Sequence, residues 1–424
     1  LLDKKINFSA PSEIKRIDAG ELSYNEFFWN YMHKNVPVII TSTSENWSCR
    51  TQWLTDAKVN FSSLKTQIKN VRVPVANCSK EFYNSHEKCE MDFHEYLDYW
   101  EHKPKDVNEN TLYLKDWHLK ASMPDYDFYQ VPEFFASDWL NEFLIDNNKD
   151  DYRFVYMGPE GSWTPFHSDV FSSFSWSTNI FGLKKWIFIV PHDEFELKDA
   201  LGNDPFQINE ALLTQKGVRF FKVFQKENES IFVPSGWYHQ VWNITDTISI
   251  NHNWFNGCNI NQIWRSLTEN MRKVIAEIQD CSDMENFEDH CQTMLRATFG
   301  INVPEFLEIL EHIALKRRKK VENGSPITLF DMYELSDSHA LFDLMTINNL
   351  VKLIKVDKYV QQNEELVAQC NSLSNLTELH KDIIMDCAQY SITNENMWEA
   401  HFSSPMWEAH FSSPLICLAK RFLR

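Results

Sequence analysis

Positive charge is scarce in this chain. Its 424 residues carry 41 lysines and arginines against 60 aspartates and glutamates, a formal net charge of −19. That balance argues against a nucleic-acid backbone as the main partner and suits a basic protein surface instead. Cysteine is sparse and unpatterned: the nine thiols, at 49, 78, 89, 258, 281, 291, 370, 387 and 417, include no Cys-x-x-Cys pair. Neither a disulfide framework nor a zinc ribbon is expected, and reduced thiols in the cytoplasm are. No run of about 18 apolar residues occurs, and the opening LLDKKINFSA lacks the charged-then-apolar pattern of a secretory signal, so no membrane association is expected. What the chain does have is apolar bulk, 43% hydrophobic and 14% aromatic residues, enough for a sizeable core and one to three domains.

The densest chemistry lies in WTPFHSDVFSSFSWSTNIFGLKKW, from Trp163 to Trp186. His167 and Asp169 are two residues apart, which in an extended segment puts both side chains on one face, where they can meet one metal ion. His239, at the end of PSGWYH, can add a second imidazole from a neighbouring strand if Gly236 turns the chain just before it. Two histidines and a carboxylate leave positions open on an octahedral ion, the arrangement non-haem iron(II) oxygenases use. Taken alone, the His-x-Asp pair is equally an ordinary structural pair. His380 and Asp382 have the same spacing but lie in ELHKDIIMDC, which reads as helical; there the two side chains are about 200° apart and cannot share an ion.

Lys184 enters the apolar strand KKWIFIV, where a buried ammonium is costly unless it meets an anion or snorkels out to water. The strand DTISINHNW alternates Ile248, Ile250 and His252 with Ser249, Asn251 and Asn253, one apolar face and one polar face fit to line a pocket. On the apolar face His252 reads as a packed histidine. TLYLKDW, with Tyr113, alternates as a strand; FHEYLDYWEH, with Phe93, Tyr96, Leu97 and Trp100 at helical spacing, reads as a core-facing helix. HDEFELKDALGNDPF, within the polar stretch 192–217, reads as a surface insertion. From residue 259 onward the stripe Ile260, Ile263, Leu267, Met271, Val274 and Ile278 marks helices, and KRRKK at 316–320 before Asn323-Gly324 reads as a helix stop. A nine-residue duplication, MWEAHFSSP at 397–405 and 406–414, is too short for a repeat architecture.

Together YLKDWH, DDYRFVYMGPEGSWTPFHSDVF, SFSWS, VPSGWYHQVWN and DTISINHNWFNG resemble the jumonji-C (JmjC) family of 2-oxoglutarate-dependent oxygenases, over roughly residues 20–300. The resemblance implies a mainly β chain: a cupin-like double-stranded β-helix, or jelly roll, at 111–258, preceded by an α/β extension at 1–110 and followed by a helical region at 259–390 and an irregular tail at 391–424. It places Fe(II) on His167, Asp169 and His239. It places 2-oxoglutarate on Lys184, with Thr164 and Tyr113 helping, sets Asn251, Asn253 and Ser177 near the other end of that cosubstrate, and turns Lys185 to the opposite face. Ser177 departs from the asparagine usual at its position.

The activity so implied is dioxygen-dependent protein lysyl hydroxylation, with a lysine of release factor 1 of translation termination as the substrate and no direct nucleic-acid partner. The rings Trp163, Phe166, Phe171, Phe174, Trp176, Trp237 and Trp242 either stack along that lysine or form barrel core. Two alternatives stand beside this: a histone lysine demethylase, for which no chromatin-reader module is visible, and a non-enzymatic cupin-like binding protein, which would be expected to have lost a ligand. Several relatives dimerise through C-terminal helices, so a homodimer is a further expectation that periodicity leaves open.

Overall fold

The computed structural model describes residues 11–104 and 110–378. The His380/Asp382 pair and the duplicated tail lie outside the described residues. The described residues divide into two compact units, one within 11–135 and 148–254, the other of 136–147 and 255–378. Helix exceeds strand among the described residues, 42% against 25%, so a mainly β description applies to the first unit only. No helix among the described residues is long and apolar enough to cross a membrane.

In the first unit the strands are β1 (Lys15–Asp18), β2 (Val38–Thr41), β3 (Arg72–Phe82), β4 (Ser85–Asp92), β5 (Leu112–Trp117), β6 (Arg153–Gly158), β7 (Trp163–His167), β8 (Phe174–Phe181), β9 (Lys184–Ile189), β10 (Phe220–Gln225), β11 (Glu229–Val233), β12 (His239–Asn243) and β13 (Thr247–Trp254). They form a large sheet in the order β1-β2-β11-β8-β13-β6-β5-β3-β4 and a smaller one in the order β10-β9-β12-β7. From β6 to β13 the chain passes repeatedly between the two sheets, a cupin-like arrangement.

The two sheets separate apolar from polar material. Ile39, Trp186, Phe188, Ile231, Val233 and Val241, on strands of both sheets, form one buried cluster with Trp237 from the turn before β12; each such side chain stabilises the fold by about 1.5–3 kcal/mol when fully buried. Phe166, Ile187 and Ile189, on strands of the smaller sheet, pack with Leu197, Ile208, Leu213 and Val218. HDEFELKDALGNDPF lies largely at the surface as read, docking through Leu197, while the residues that follow it cover the sheet with Ile208, Leu213 and Val218. The polar character of the stretch 192–217 hid the few apolar residues that dock. The helix α1 (Phe93–His102) buries Phe93, Tyr96, Leu97 and Trp100 as its spacing predicts, and the Tyr96 hydroxyl donates to Met157 O at 2.6 Å and accepts from Leu114 N at 3.1 Å, pinning β5 and β6.

Gly182 sets where β9, and with it Lys184, begins. Its φ is +84°, and a Cβ there would sit 1.9 Å from the backbone oxygen of Asp246. Gly182→Ala is expected to lower stability by about 2–5 kcal/mol, combining left-handed backbone strain with overpacking. Urea unfolding followed by tryptophan fluorescence checks this, and an unchanged midpoint would contradict it.

The second unit is helical: α2 (Trp139–Asp146), α3 (Ile260–Glu277), α4 (Phe287–Phe299), α5 (Val303–Asn323), α6 (Asp337–Ile354) and α7 (Glu364–Thr377). The stripe from Ile260 to Val274 is buried on α3 as expected. KRRKK ends α5, which closes on Gly324 at φ 65°. Within that run Arg317 turns inward, its guanidinium donating to both Glu142 oxygens at 2.7 and 2.6 Å and to Asp343 Oδ2 at 2.8 Å. These ion pairs bind α2 to α5 and α6, so residues 136–147 belong with helices far along the chain, an association hydrophobic periodicity does not encode.

Candidate functional site

The residues singled out in the sequence converge between the two sheets. His167 closes β7 and is the Cα partner of His239, the first residue of β12; their rings lie 4.4 Å apart. Asp169 follows two residues later at a short turn, in which Phe171 is held at φ 60°, an uncommon backbone for a bulky residue and a form of strain typical of functional sites. The donor atoms of His167, Asp169 and His239 all lie within 4.8 Å of one another, close enough for one ion to draw them together.

The surroundings prepare this trio. Nδ1 of His167 lies 2.8 Å from Pro165 O and Nδ1 of His239 lies 3.0 Å from Trp237 O. A carbonyl can only accept, so each Nδ1 carries the proton and each Nε2 keeps its lone pair for a metal. Burial, and then the neighbouring His239, pushes the His167 imidazole down to about 4, so it is neutral at pH 7, the form that ligates. Asp169 Oδ2 accepts from Ser175 Oγ at 2.8 Å and Oδ1 from Asn253 Nδ2 at 3.0 Å, and Ser175 and Asn253 are themselves paired across β8 and β13. The rings of Trp186 and Phe188 lie 5.5 and 5.6 Å from that of His239, an apolar wall on one side of the donors.

Lys184 is 2% exposed. Its ammonium donates to Ser249 Oγ at 2.7 Å and sits 6.0 Å above the Tyr156 ring. No carboxylate pairs with it among the described residues, and burial draws it down to about 7. A cation kept there without a counter-ion suits an anionic ligand. Lys185 points the other way, its Nζ 4.1 Å from the Trp242 ring, as expected.

The remaining residues divide between these two poles. Tyr113 is buried edge-on to Tyr156, with ring centroids 5.9 Å apart, and shares a hydrogen bond with the side chain of Asn243, the Cα partner of Lys184. Burial drives its phenol upward, so it stays protonated. Its ring lies so close to Gly158 that a Cβ there would be 2.5 Å from Cδ2. Thr164, half-buried on β7, is paired with Val241. Asn251 Nδ2 donates to Ser249 Oγ at 3.3 Å, and Ser177, its cross-strand partner, has a buried hydroxyl with no partner among the described residues. Asn253, grouped with the cosubstrate contacts in the sequence, instead has its amide on the Asp169 carboxylate.

Ser175, Tyr156 and Asn243 were not singled out from the sequence, and Ser249 was named only as part of the polar face of β13. The alternation placed Ser249 on that face; the other three become visible only through cross-strand pairing. Most of the aromatic set is core: Phe166, Phe171, Phe174, Trp176 and Trp237 are at most 2% exposed, while Trp163 and Trp242 are half-buried. His252 is packed as expected, against Trp176 and hydrogen-bonded to the Tyr129 hydroxyl at 2.8 Å.

A family model described as "JmjC domain, hydroxylase" matches residues 154–254. The chain is 48% identical over 396 residues to the 2-oxoglutarate and iron-dependent oxygenase JMJD4 homolog of Drosophila melanogaster, covering 86% of this chain and 92% of that protein. It is 40% identical over 356 residues to the JMJD4 oxygenase of Danio rerio, covering 79% and 84%. It is 38% identical over 326 residues to the arginine-specific demethylase JMJ20 of Arabidopsis thaliana, covering 72% and 70%. The chain thus belongs to the JmjC 2-oxoglutarate and iron-dependent oxygenases and, among them, to the JMJD4 group. Its cofactor is Fe(II), and its cosubstrates are 2-oxoglutarate and dioxygen.

Proposed function

We propose that this oxygenase is a cytoplasmic protein lysyl hydroxylase acting on a lysine of release factor 1 of translation termination, within a double-stranded β-helix formed by β6–β13. In this reading His167, Asp169 and His239 hold Fe(II), and Lys184, with Thr164 and Tyr113, holds the distal carboxylate of 2-oxoglutarate. The observation that carries it is the pairing of a three-donor constellation with an unpaired buried ammonium on one polar interior face. When bound, Fe(II) with 2-oxoglutarate and dioxygen supplies an oxidant that puts one oxygen atom into a substrate C–H bond, the other ending in succinate as CO2 leaves.

The chain's own residues perform the rest. Nε2 of His167, Nε2 of His239 and the carboxylate of Asp169 are the three donors that would hold the ion. Ser175 and Asn253 fix the carboxylate's orientation, and the Lys184 ammonium neutralises a carboxylate that would otherwise be buried alone. The rings of Trp186 and Phe188 exclude water from one side of the donors.

Lysine as target is supported by the resemblance in sequence and by the net charge of −19, which favours approach of a basic segment. Free thiols at all seven described cysteines support a reducing compartment. The name of the Arabidopsis relative favours a second reading, demethylation of arginine. Incubating the protein with Fe(II), 2-oxoglutarate, dioxygen and release factor 1 is expected to add about 16 Da to a single lysine without formaldehyde. Formaldehyde release from methylated arginine or histone-lysine peptides, with the release factor unmodified, would replace hydroxylation by demethylation.

A further inference from the structure

The hairpin that joins β3 to β4 turns at Tyr83 and Asn84, with φ of 47° and 60°, between the paired residues Phe82 and Ser85. Two-residue turns with both φ positive favour asparagine and glycine, and a tyrosine there is strained for its bulk. The strain brings no burial. Tyr83 is 90% exposed and Phe82 60%, their ring centroids 4.6 Å apart. Leu201, in the tight loop closed by Asp199 N donating to Asn203 O at 3.0 Å, is 87% exposed.

Both tips are fastened to the metal centre. Asn84 Nδ2 donates to Asp204 O at 2.9 Å, which joins the hairpin to the loop. The Asp204 carboxylate accepts from the Tyr238 hydroxyl at 3.2 Å, and that hydroxyl shares a side-chain hydrogen bond with Ser168, the residue between His167 and Asp169. Beneath the hairpin the His86 ring stands edge-on to Trp163 at 4.5 Å and to Phe206 at 5.5 Å, and Phe206 O accepts from Phe166 N at 3.1 Å. Hairpin and loop are thus anchored along β7, the strand that ends at His167, while their apolar ends face solvent.

Charge selects what covers them. Residues 80–90 and 192–206 hold eight acids against three lysines. Those lysines are engaged, Lys80 with Glu87, Lys88 with Asp116 and Lys198 with Asp204. From outside, Arg72 faces Glu90, Arg219 answers Asp193 and Lys216 reaches the Glu196 carbonyl. Glu81, next to the rings, and Asp199, two residues before Leu201, are exposed, and among the described residues no cation contacts either. The Asp199 oxygens accept only from the amides of Leu201 and Asn203. We propose that Phe82, Tyr83 and Leu201, with the carboxylates of Glu81 and Asp199, form a docking surface for a basic segment of the polypeptide substrate, separate from the residue being oxidised. This rests on the reading that the substrate is a polypeptide. Aromatic rings attract lysine and arginine by cation–π contact and pack along their aliphatic stems, and tyrosine is prominent among residues that dominate protein interfaces. Attachment to β7 lets contact at the tips set how the substrate enters the metal centre.

The test measures binding rather than turnover. Protein loaded with Mn(II) and 2-oxoglutarate, without oxygen, is titrated with fluorescently labelled release factor 1 and, separately, with a labelled core histone carrying methylated lysines. Phe82→Ser combined with Tyr83→Ser is expected to weaken release factor binding about tenfold or more, and Leu201→Ser to weaken it less. Glu81→Lys combined with Asp199→Lys should also weaken it and flatten its dependence on salt. Affinities for Mn(II) and 2-oxoglutarate and the urea midpoint should stay as in the wild type, because all these residues are exposed. Release factor binding that the serine pair leaves unchanged overturns the surface without touching lysyl hydroxylation. So does a loss that extends to Mn(II) or 2-oxoglutarate, which would make the variants disturb the metal centre, and so does a wild type that binds neither protein. An effect of the serine pair without one of the charge reversal rejects a basic partner and the proposal with it. Histone binding that both pairs weaken, with release factor 1 unbound, keeps the surface and rejects release factor 1 as the substrate.

Discussion

Asp169→Ala is expected to abolish 2-oxoglutarate turnover and to leave Fe(II) or Mn(II) binding too weak to measure at micromolar protein. The carboxylate is the only anionic donor of the trio, and without it two neutral imidazoles must hold a divalent ion without charge neutralisation. His167→Ala should be as severe, since it removes the ring that faces His239 at 4.4 Å. Asn253→Ala gives a graded control. Its amide holds Asp169 Oδ1 at 3.0 Å, and loss of such an orienting contact costs about 10- to 100-fold in metal affinity or activity. Succinate formation and metal titration read all three variants. Normal turnover in His167→Ala would move the metal elsewhere. An Asn253→Ala variant with wild-type metal affinity but a much raised requirement for 2-oxoglutarate would return that residue to the cosubstrate.

The donor trio was legible because its geometry is local. An i, i+2 pair in extended backbone shares a face, a histidine after a glycine turn needs only one neighbouring strand to reach it, and the motifs that carry the resemblance turned this possibility into a ligand set. The support around it was less legible. Ser175 and Asn253 act as a cross-strand pair 78 residues apart, on a register set by hydrogen bonding between β8 and β13, and nothing in either local sequence announces the other. The resemblance set Asn253 near the cosubstrate, and its contact with Asp169 Oδ1 becomes visible only once Asp169 is placed beside that end of β13. The same limit applies to the fold. The repeating apolar pattern exposed α1 and α3, but the docking of 136–147 onto the C-terminal helices depends on Arg317, a member of a basic run that looks solvated until Glu142 and Asp343 are placed beside it. Aromatic residues were the least informative about function, because a ring suited to stacking on a substrate is equally suited to filling the space between two sheets.

Lys184→Ala is expected to raise the 2-oxoglutarate KM by roughly 10- to 150-fold, the equivalent of about 1.5–3 kcal/mol for a charged hydrogen bond, while Lys185→Ala, whose ammonium lies over Trp242, changes it little. The pH dependence distinguishes a binding role from a structural one. Burial lowers the Lys184 ammonium from 10.5 to about 7. With the folded value below the unfolded one, the cost of the buried charge is fully present below pH 7. It is relieved as pH rises from about 7 towards 10.5, because there the unfolded chain holds a proton that the folded chain has released. The ligand reverses this: a carboxylate beside Nζ favours the ammonium, so above pH 7 binding must draw a proton from solution. The 2-oxoglutarate KM of the wild type is therefore expected to be flat below about pH 7 and to climb by up to about tenfold per pH unit above it, until the lysine of the complex itself titrates. Calorimetry at pH 8 in buffers of different ionisation enthalpy should register the proton uptake directly. Lys184→Arg, charged at every working pH, should abolish both the climb and the uptake, and Lys184→Met should bind weakly at all pH values. Equal effects of Lys184→Ala and Lys185→Ala, or a wild-type KM that does not change between pH 7 and 9 with no proton taken up, would remove Lys184 from the cosubstrate and make its burial a property of the fold alone.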